Sequence, residues 1–203
     1  MKIKPKQPIP VVEHALYVAL RAHEGQTRKD SGKTPYIVHP VSVALIVARY
    51  TDNNDVLASA LLHDILEDTK YSAALLKADF GLRVLRLVKE VSEPIGAVSW
   101  STRKDVYLDA LALVSHEALL IASADKIANL RAMRSAYLVD GEKLWQRFEP
   151  QSNPEQRLEF YSRVYQRIKI AWPHCPLLEE LRHEFNRTAV AIKGKAHRKL
   201  RKG

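Results

Sequence analysis

One apolar stretch of the chain contains a histidine and three carboxylates. His63 and Asp64 are adjacent, Glu67 and Asp68 follow within about one helical turn, and residues 56–62 before them are mostly apolar. An unpaired carboxylate is costly to desolvate, so such groups normally pair, become neutral or bind a metal. On a helix these spacings put the four side chains on neighbouring parts of one face. The stretch therefore predicts two metal ligands beside two acid/base carboxylates, the alternative being a solvated charge stripe on an amphipathic helix.

Two other polar clusters could complete such a site. His39 precedes Pro40, which is typical of the first position of a helix and so places His39 at the helix entry. Asp125 and Asn129 lie four residues apart on an otherwise apolar helix. Each residue alone is more typical of ordinary packing, but together they offer imidazole and carboxylate ligands from separate helices. That mixture suits divalent Mn, Fe, Zn or Mg and does not decide among them.

In this order the residues resemble the HD superfamily of metal-dependent phosphohydrolases. The longer strings around them are similar to the alarmone (ppGpp) hydrolases of the Rel/SpoT type, and the length of the chain resembles the small stand-alone members. These strings cover residues 22–29, 35–40, 63–69 and 124–131. The similarity extends over about residues 10 to 170 of the chain.

The resemblance implies a role for each matching residue. Glu67 would be the essential base and Asp68 its partner in activating water. The expected metal is Mn²⁺, with other divalent ions compatible, and its four expected ligands are His39, His63, Asp64 and Asp125. The expected substrate contacts are Arg28 on the guanine face, Asn129 on the ribose or base, Lys29 and Lys126 on phosphate, and Arg157 with Tyr161 on the nucleotide side.

The implied substrate is a guanosine alarmone, and the implied reaction removes the 3′-diphosphate of ppGpp or pppGpp to give GDP or GTP plus pyrophosphate. A second hypothesis is another HD phosphohydrolase that acts on NADPH, dNTPs or nucleoside monophosphates. A third is a non-catalytic module that binds RNA or an alarmone, although a pure binder has no need to bury Glu67 and Asp68 beside a metal.

The sequence departs from the pattern of the alarmone hydrolases at one place that concerns phosphate binding. Related proteins commonly carry a threonine and a nearby lysine after the position of Val91, whereas the next lysine here is Lys104.

Composition limits the remaining possibilities. The 203 residues suffice for one well-buried domain, and no apolar run reaches the roughly 18 residues that a membrane helix needs. Cys175 is the only cysteine and no export signal is evident, which favours the reducing cytoplasm. Nine of the 32 Lys and Arg residues lie in the tails 1–9 and 193–203, which leaves 23 basic residues against 23 acidic ones in the domain 10–192. We expect solvated basic tails, with nonspecific nucleic-acid contact as the alternative.

Helical patterns run along the whole chain, and no segment alternates convincingly with period two. The predicted helices span residues 10–24, 41–50, a segment carrying 63–68 after a cap at Asn53 or Asn54, 72–80, 83–91, Ser101 or Thr102 to 114, a segment through Asp125 to 138, 154–172 and 177–192. We therefore predict an all-α, single-domain helical bundle of the HD superfamily with the metal site in its interior.

Overall fold

The computed structural model describes residues 10–93, 99–148 and 153–200, with side chains described up to residue 194. In these ranges the secondary structure is helical, apart from one isolated bridge between Thr27 and Pro35. The elements are α1 (Val11–Ala22), α2 (Val38–Val47), α3 (Asn54–Leu62), α4 (Ile65–Asp68), α5 (Ala73–Val91), α6 (Trp100–Ala110), α7 (His116–Asp140), a 3₁₀ helix (Gly141–Arg147), α8 (Pro154–Ala171) and α9 (Leu178–Leu200). The all-α prediction is confirmed.

Helix α7 forms the centre of the bundle. It packs against α2, α5, α8 and α9, and its residues from Ala118 to Ala128 are all buried. That stretch includes Asp125 and Lys126, so the central helix brings charged side chains into the interior. Burying charges without partners would be strongly unfavourable, which means that the surrounding helices must supply groups that pair with them.

Side-chain caps begin several helices where the sequence predicts them. The Asn53 side chain accepts hydrogen bonds at the start of α3, and Asn153 forms a reciprocal capping box with Gln156 at the start of α8. The predicted start of α6 at Ser101 or Thr102 is wrong. Ser99 is the cap, because its hydroxyl lies three residues before Thr102 and accepts the amide of that residue at 3.1 Å.

The two helices predicted over 72–80 and 83–91 are confirmed as the two parts of α5, which Gly81 separates with a non-helical φ of +82°, a conformation that side-chain-bearing residues rarely adopt. One other helix boundary differs from the prediction. The last helix continues past 192 to Leu200. The added sequence contains Lys, Arg, Ala and Leu, which are good helix formers, and cations are favourable near a helix C-terminus. No helix in the described ranges is both long and apolar enough to cross a membrane.

Candidate active site

Two histidines and an aspartate converge inside the bundle from α2, from the end of α3 and from α7. The Nε2 atoms of His39 and His63 are 3.2 Å apart, and Asp125 Oδ1 lies 3.2 Å from the first and 3.8 Å from the second. All three residues are buried. Within the described ranges they are the group whose ligand atoms lie close enough together to hold a metal ion. The donor set suits a divalent cation.

The contacts of His63 fit a metal ligand. Its Nδ1 lies 2.9 Å from the carbonyl oxygen of Ala60, an acceptor, so we assign the proton to Nδ1. In the neutral ring Nε2 then keeps its lone pair, and this atom points into the cluster. The predicted continuous helix through residues 63–68 is broken between α3, which ends at Leu62, and α4, which begins at Ile65.

Asp64, the fourth predicted ligand, lies at the same cluster. Its Oδ2 is 3.1 Å from His63 Nε2 and 3.4 Å from His39 Nε2. Burial opposes a charged carboxylate, but the two histidines hold the pKa of Asp64 well below its usual range. Burial likewise opposes the imidazolium of His63, but Asp64 and Asp125 raise the pKa of His63 to about 9. Without metal, the cluster therefore holds a proton at neutral pH.

Metal affinity is expected to increase as the pH rises toward 9. A histidine can bind a metal only as the neutral imidazole, so a metal at His63 would compete with the proton of its ring below the pKa of about 9. The association constant should rise about tenfold per pH unit between about pH 6.5 and 8.5, with release of about one proton per metal bound. Calorimetric titration in two buffers of different ionisation enthalpy measures both quantities. An affinity independent of pH over this range would contradict the proposed competition.

Glu67 has the environment expected of a general base. Its Oε1 accepts a hydrogen bond of 2.8 Å from the backbone N–H of Glu93, which fixes the carboxylate in the wall of the site. Burial, and then the negative charge of Asp64, raises the pKa of Glu67 to about 8. A carboxyl group with this pKa can take up and return a proton near neutral pH. Asp68 is more exposed, and its Oδ2 accepts a hydrogen bond of 3.0 Å from the Tyr36 hydroxyl.

Lys126 and Asn129 both contact Asp125. Lys126 Nζ lies 2.5 Å from Asp125 Oδ2, and the Asn129 amide donates to Oδ1 at 2.5 Å. Burial opposes the ammonium charge, but Asp125 holds the pKa of Lys126 well above its usual range. The predicted phosphate contact of Lys126 would therefore require a substrate oxygen to share the ammonium with Asp125.

A cleft of about 1090 Å³ lies next to this cluster. A smaller cavity of about 130 Å³ is lined by His63, Asp64, Glu67, Asp125 and Lys126, among others. The two spaces have Tyr36, Lys104, Asn129 and Tyr161 as common lining residues. Among the predicted substrate residues, those that line the large cleft are Arg28, Lys29, Asn129, Arg157 and Tyr161. The structure thus brings the predicted metal, acid/base and substrate residues together.

Three of the predicted substrate residues, all cations that line the cleft, lie against aromatic rings. The Arg28 guanidinium is 5.5 Å from the centre of the Tyr36 ring and donates to Asn129 Oδ1 at 2.7 Å. Arg157 lies 4.0 Å above the Phe148 ring, and Lys29 Nζ lies 4.9 Å from the centre of the same ring. The planar guanidiniums of Arg28 and Arg157 suit stacking on a base, and all three cations suit binding of phosphate oxygens.

Sequence reasoning assigned no role to Tyr36, Glu93 or Lys104, which all line the smaller cavity. Lys104 pairs with the carboxylate of Glu93, whose amide in turn binds Glu67. The resemblance directs attention to the residues just after Val91, and no spacing in the sequence indicates that α6 returns a lysine to the site. Tyr36 lies in one of the strings that resemble the alarmone hydrolases, but its position in the sequence does not indicate which groups its hydroxyl contacts.

Comparison with models of known protein families shows the family of this chain. A model described as "HD domain" matches residues 15–147. The chain therefore belongs to the HD-domain family.

Comparison with individual proteins shows which members of the family the chain resembles. The chain is 33% identical over 178 residues to the human guanosine-3′,5′-bis(diphosphate) 3′-pyrophosphohydrolase MESH1, covering 86% of this chain and 92% of that protein. It is 38% identical over 124 residues to the protein of the same activity name from Haemophilus influenzae, but spans only 18% of its length. A solved structure titled "A metazoan ortholog of SpoT hydrolyzes ppGpp and plays a role in starvation responses" matches with a TM-score of 0.70 and 27% identity, covering 87% of this chain and 96% of that one.

Proposed function

We propose that this protein hydrolyses the 3′-diphosphate of ppGpp and pppGpp to GDP or GTP plus pyrophosphate, with a divalent metal that we propose to be Mn²⁺. The observation that carries the proposal is the meeting of a buried His39, His63 and Asp125 cluster with Glu67 beside a cationic cleft. Nearly full-length similarity to human MESH1 supports the guanosine alarmone as substrate.

The metal would be held by His39, His63, Asp64 and Asp125. When bound, it would lower the pKa of a water molecule and polarise the attacked phosphoryl group. Glu67 accepts the proton of the attacking water, whose oxygen bonds to the phosphorus next to the ribose 3′-oxygen. The bond from that phosphorus to the 3′-oxygen breaks, and the 3′-oxygen takes a proton, a step that we assign to Asp68 as the donor.

Substrate groups would be held by the surrounding cleft. Arg28 stacks on the guanine, and Asn129 contacts the ribose or base. Lys29 and Lys126 bind phosphate oxygens, and Arg157 with Tyr161 forms the nucleotide side of the cleft. Glu67 and Glu93 line the smaller cavity beside the proposed metal ligands, where the Glu93 amide holds the Glu67 carboxylate.

The direct test is a comparison of metal-free and metal-loaded protein on several substrates. We expect Mn²⁺-loaded protein to release GDP and pyrophosphate from ppGpp, and chelator-treated protein to be inactive until Mn²⁺ is returned. The same assay with NADPH, dNTPs and nucleoside monophosphates separates this proposal from the broader HD phosphohydrolases. Turnover of one of these compounds but not of ppGpp would reject the alarmone, and full turnover after rigorous metal removal would reject the mechanism.

Substitution of Arg28 by alanine is expected to weaken binding of ppGpp. Stacking of a planar side chain on a base is worth about 1 to 3 kcal/mol, so KM should rise roughly five- to more than a hundredfold. The metal should remain bound, because Arg28 donates to Asn129 and not to a proposed ligand, and Tyr36, which the guanidinium contacts, keeps its stacking on His23 and its hydrogen bond to Asp64. The measurements are kcat and KM for ppGpp, compared with those for a small phosphodiester that lacks a base.

Arg182→Ala is the matched control for Arg28→Ala. Arg182 is an exposed arginine on α9 that pairs with Glu179 at 2.6 Å and lines neither the large cleft nor the smaller cavity. This control variant should have the wild-type kcat and KM for both ppGpp and the small phosphodiester. Unchanged ppGpp kinetics in Arg28→Ala would show that this residue does not read the guanine.

We further propose that residues 10–192 form the catalytic domain and that the basic tails 1–9 and 193–203 are accessory to it. The lone Cys175, which is buried, supports a cytoplasmic location as part of the proposal.

A further inference from the structure

Tyr36 contacts two carboxylates of the candidate site. Its phenol oxygen is 2.5 Å from Asp64 Oδ2 and 3.0 Å from Asp68 Oδ2. A phenol has one proton, so it donates fully to one carboxylate at a time, and the shorter distance favours Asp64. The same Asp64 Oδ2 lies within 3.4 Å of Nε2 of both His39 and His63. The hydrogen bond from Tyr36 therefore acts on the oxygen that faces the metal cluster.

The ring of Tyr36 is held on two sides. The buried His23 ring stacks on it with centroids 4.7 Å apart and planes at 25°, and the Arg28 guanidinium lies 5.5 Å from its centre. Gln26 fastens this arrangement: its side chain bonds His23 Nδ1 at 2.8 Å and donates to the Asp68 carbonyl oxygen at 2.7 Å. The Tyr36 amide also donates to the Gln26 carbonyl oxygen at 3.0 Å. The hydroxyl is thus fixed between the two carboxylates.

We propose that Tyr36 is a positioning residue that orients Asp64 toward the metal and holds Asp68 beside it. The inference rests on the proposed function and deepens it, because Asp64 is a proposed ligand and Asp68 a proposed proton donor. The inference also explains the segment from His23 to Arg28, because residues of this segment contact Tyr36 and hold its ring in place.

The expected size of the effect follows from known metal sites. A carboxylate ligand can rotate about its last torsion, and a donor on one oxygen removes that freedom before the metal arrives. Loss of such an outer partner typically costs about 10- to 100-fold in metal affinity or activity. Binding of the substrate should change little. The Tyr36 hydroxyl bonds Asp64 and Asp68, and neither of these residues is proposed to contact the guanine.

Tyr36→Phe tests this role, because phenylalanine keeps the ring between His23 and Arg28 and removes only the hydroxyl. We expect the Mn²⁺ dissociation constant, measured by calorimetry without substrate, to rise about 10- to 100-fold. At saturating Mn²⁺, kcat for ppGpp should fall about tenfold or more while KM stays close to that of the wild type. The thermal midpoint of the metal-free variant should stay within a few degrees of the wild type, measured by circular dichroism.

Tyr71→Phe is the matched control, since the Tyr71 hydroxyl also donates to a carboxylate, that of Asp79, outside the metal cluster. It should change neither Mn²⁺ affinity nor kcat. Unchanged Mn²⁺ affinity in Tyr36→Phe would overturn the inference, as would an equal loss in both variants. If the wild type fails to act on ppGpp, the proposed function fails, but the Mn²⁺ affinities of the two variants still decide the role of Tyr36.

Discussion

Replacement of Glu67 by glutamine is expected to lower kcat by roughly two or more orders of magnitude, the usual scale for loss of an acid/base group. Glutamine has nearly the same shape, and its amide oxygen can still accept the Glu93 N–H that now binds Glu67 Oε1. It cannot take a proton from water in the range where Glu67, with its pKa near 8, can. Metal content and ppGpp turnover measured on the same preparation test the expectation, and metal content should be unchanged.

Glu90→Gln is a control that matches the chemistry of this change. Glu90 is also a carboxylate that accepts a backbone amide, that of Ser115 at 3.1 Å, but it does not line the smaller cavity. We expect wild-type turnover from it. A Glu67→Gln protein with the wild-type rate would remove Glu67 from the mechanism, and a slow Glu90→Gln protein would indicate a general effect on folding.

The metal cluster could be predicted from residue type and order, because few arrangements justify burial of histidines and carboxylates on separate helices. His39, His63 and Asp125 meet as expected. The contacts that the predicted substrate residues make with the metal cluster could not be predicted from the sequence. The ion pair of Lys126 with Asp125 depends on side-chain direction in a crowded core, and periodicity along one helix says nothing about that direction.

Helix caps could be predicted because a cap is a local pattern, as Asn53 and Asn153 illustrate. The break after Leu62 could not, since no Gly or Pro marks it in residues 56–68. Likewise, Lys104 reaches the site because α6 packs near it, and this packing depends on contacts far apart in the chain.

Replacement of Asp64 by alanine is expected to abolish both metal binding and hydrolysis. Its Oδ2 lies at 3.1 and 3.4 Å from the Nε2 atoms of His63 and His39, so the substitution removes one of the two carboxylates of the cluster. The remaining proposed ligands would carry one formal negative charge, that of Asp125, toward a divalent cation. Elemental analysis after dialysis against Mn²⁺, together with ppGpp turnover, measures the two losses.

Asp68→Ala provides the comparison that gives the Asp64 result its meaning. Asp68 is also an acidic partner of the Tyr36 hydroxyl, but it is more exposed and lies outside the metal cluster. We expect this variant to keep its Mn²⁺ and to lose rate, whereas Asp64→Ala loses both. Wild-type Mn²⁺ content in Asp64→Ala would mean that His39, His63 and Asp125 suffice as ligands. Asp64 would then act through its charge on Glu67 and His63, whose pKa values it raises.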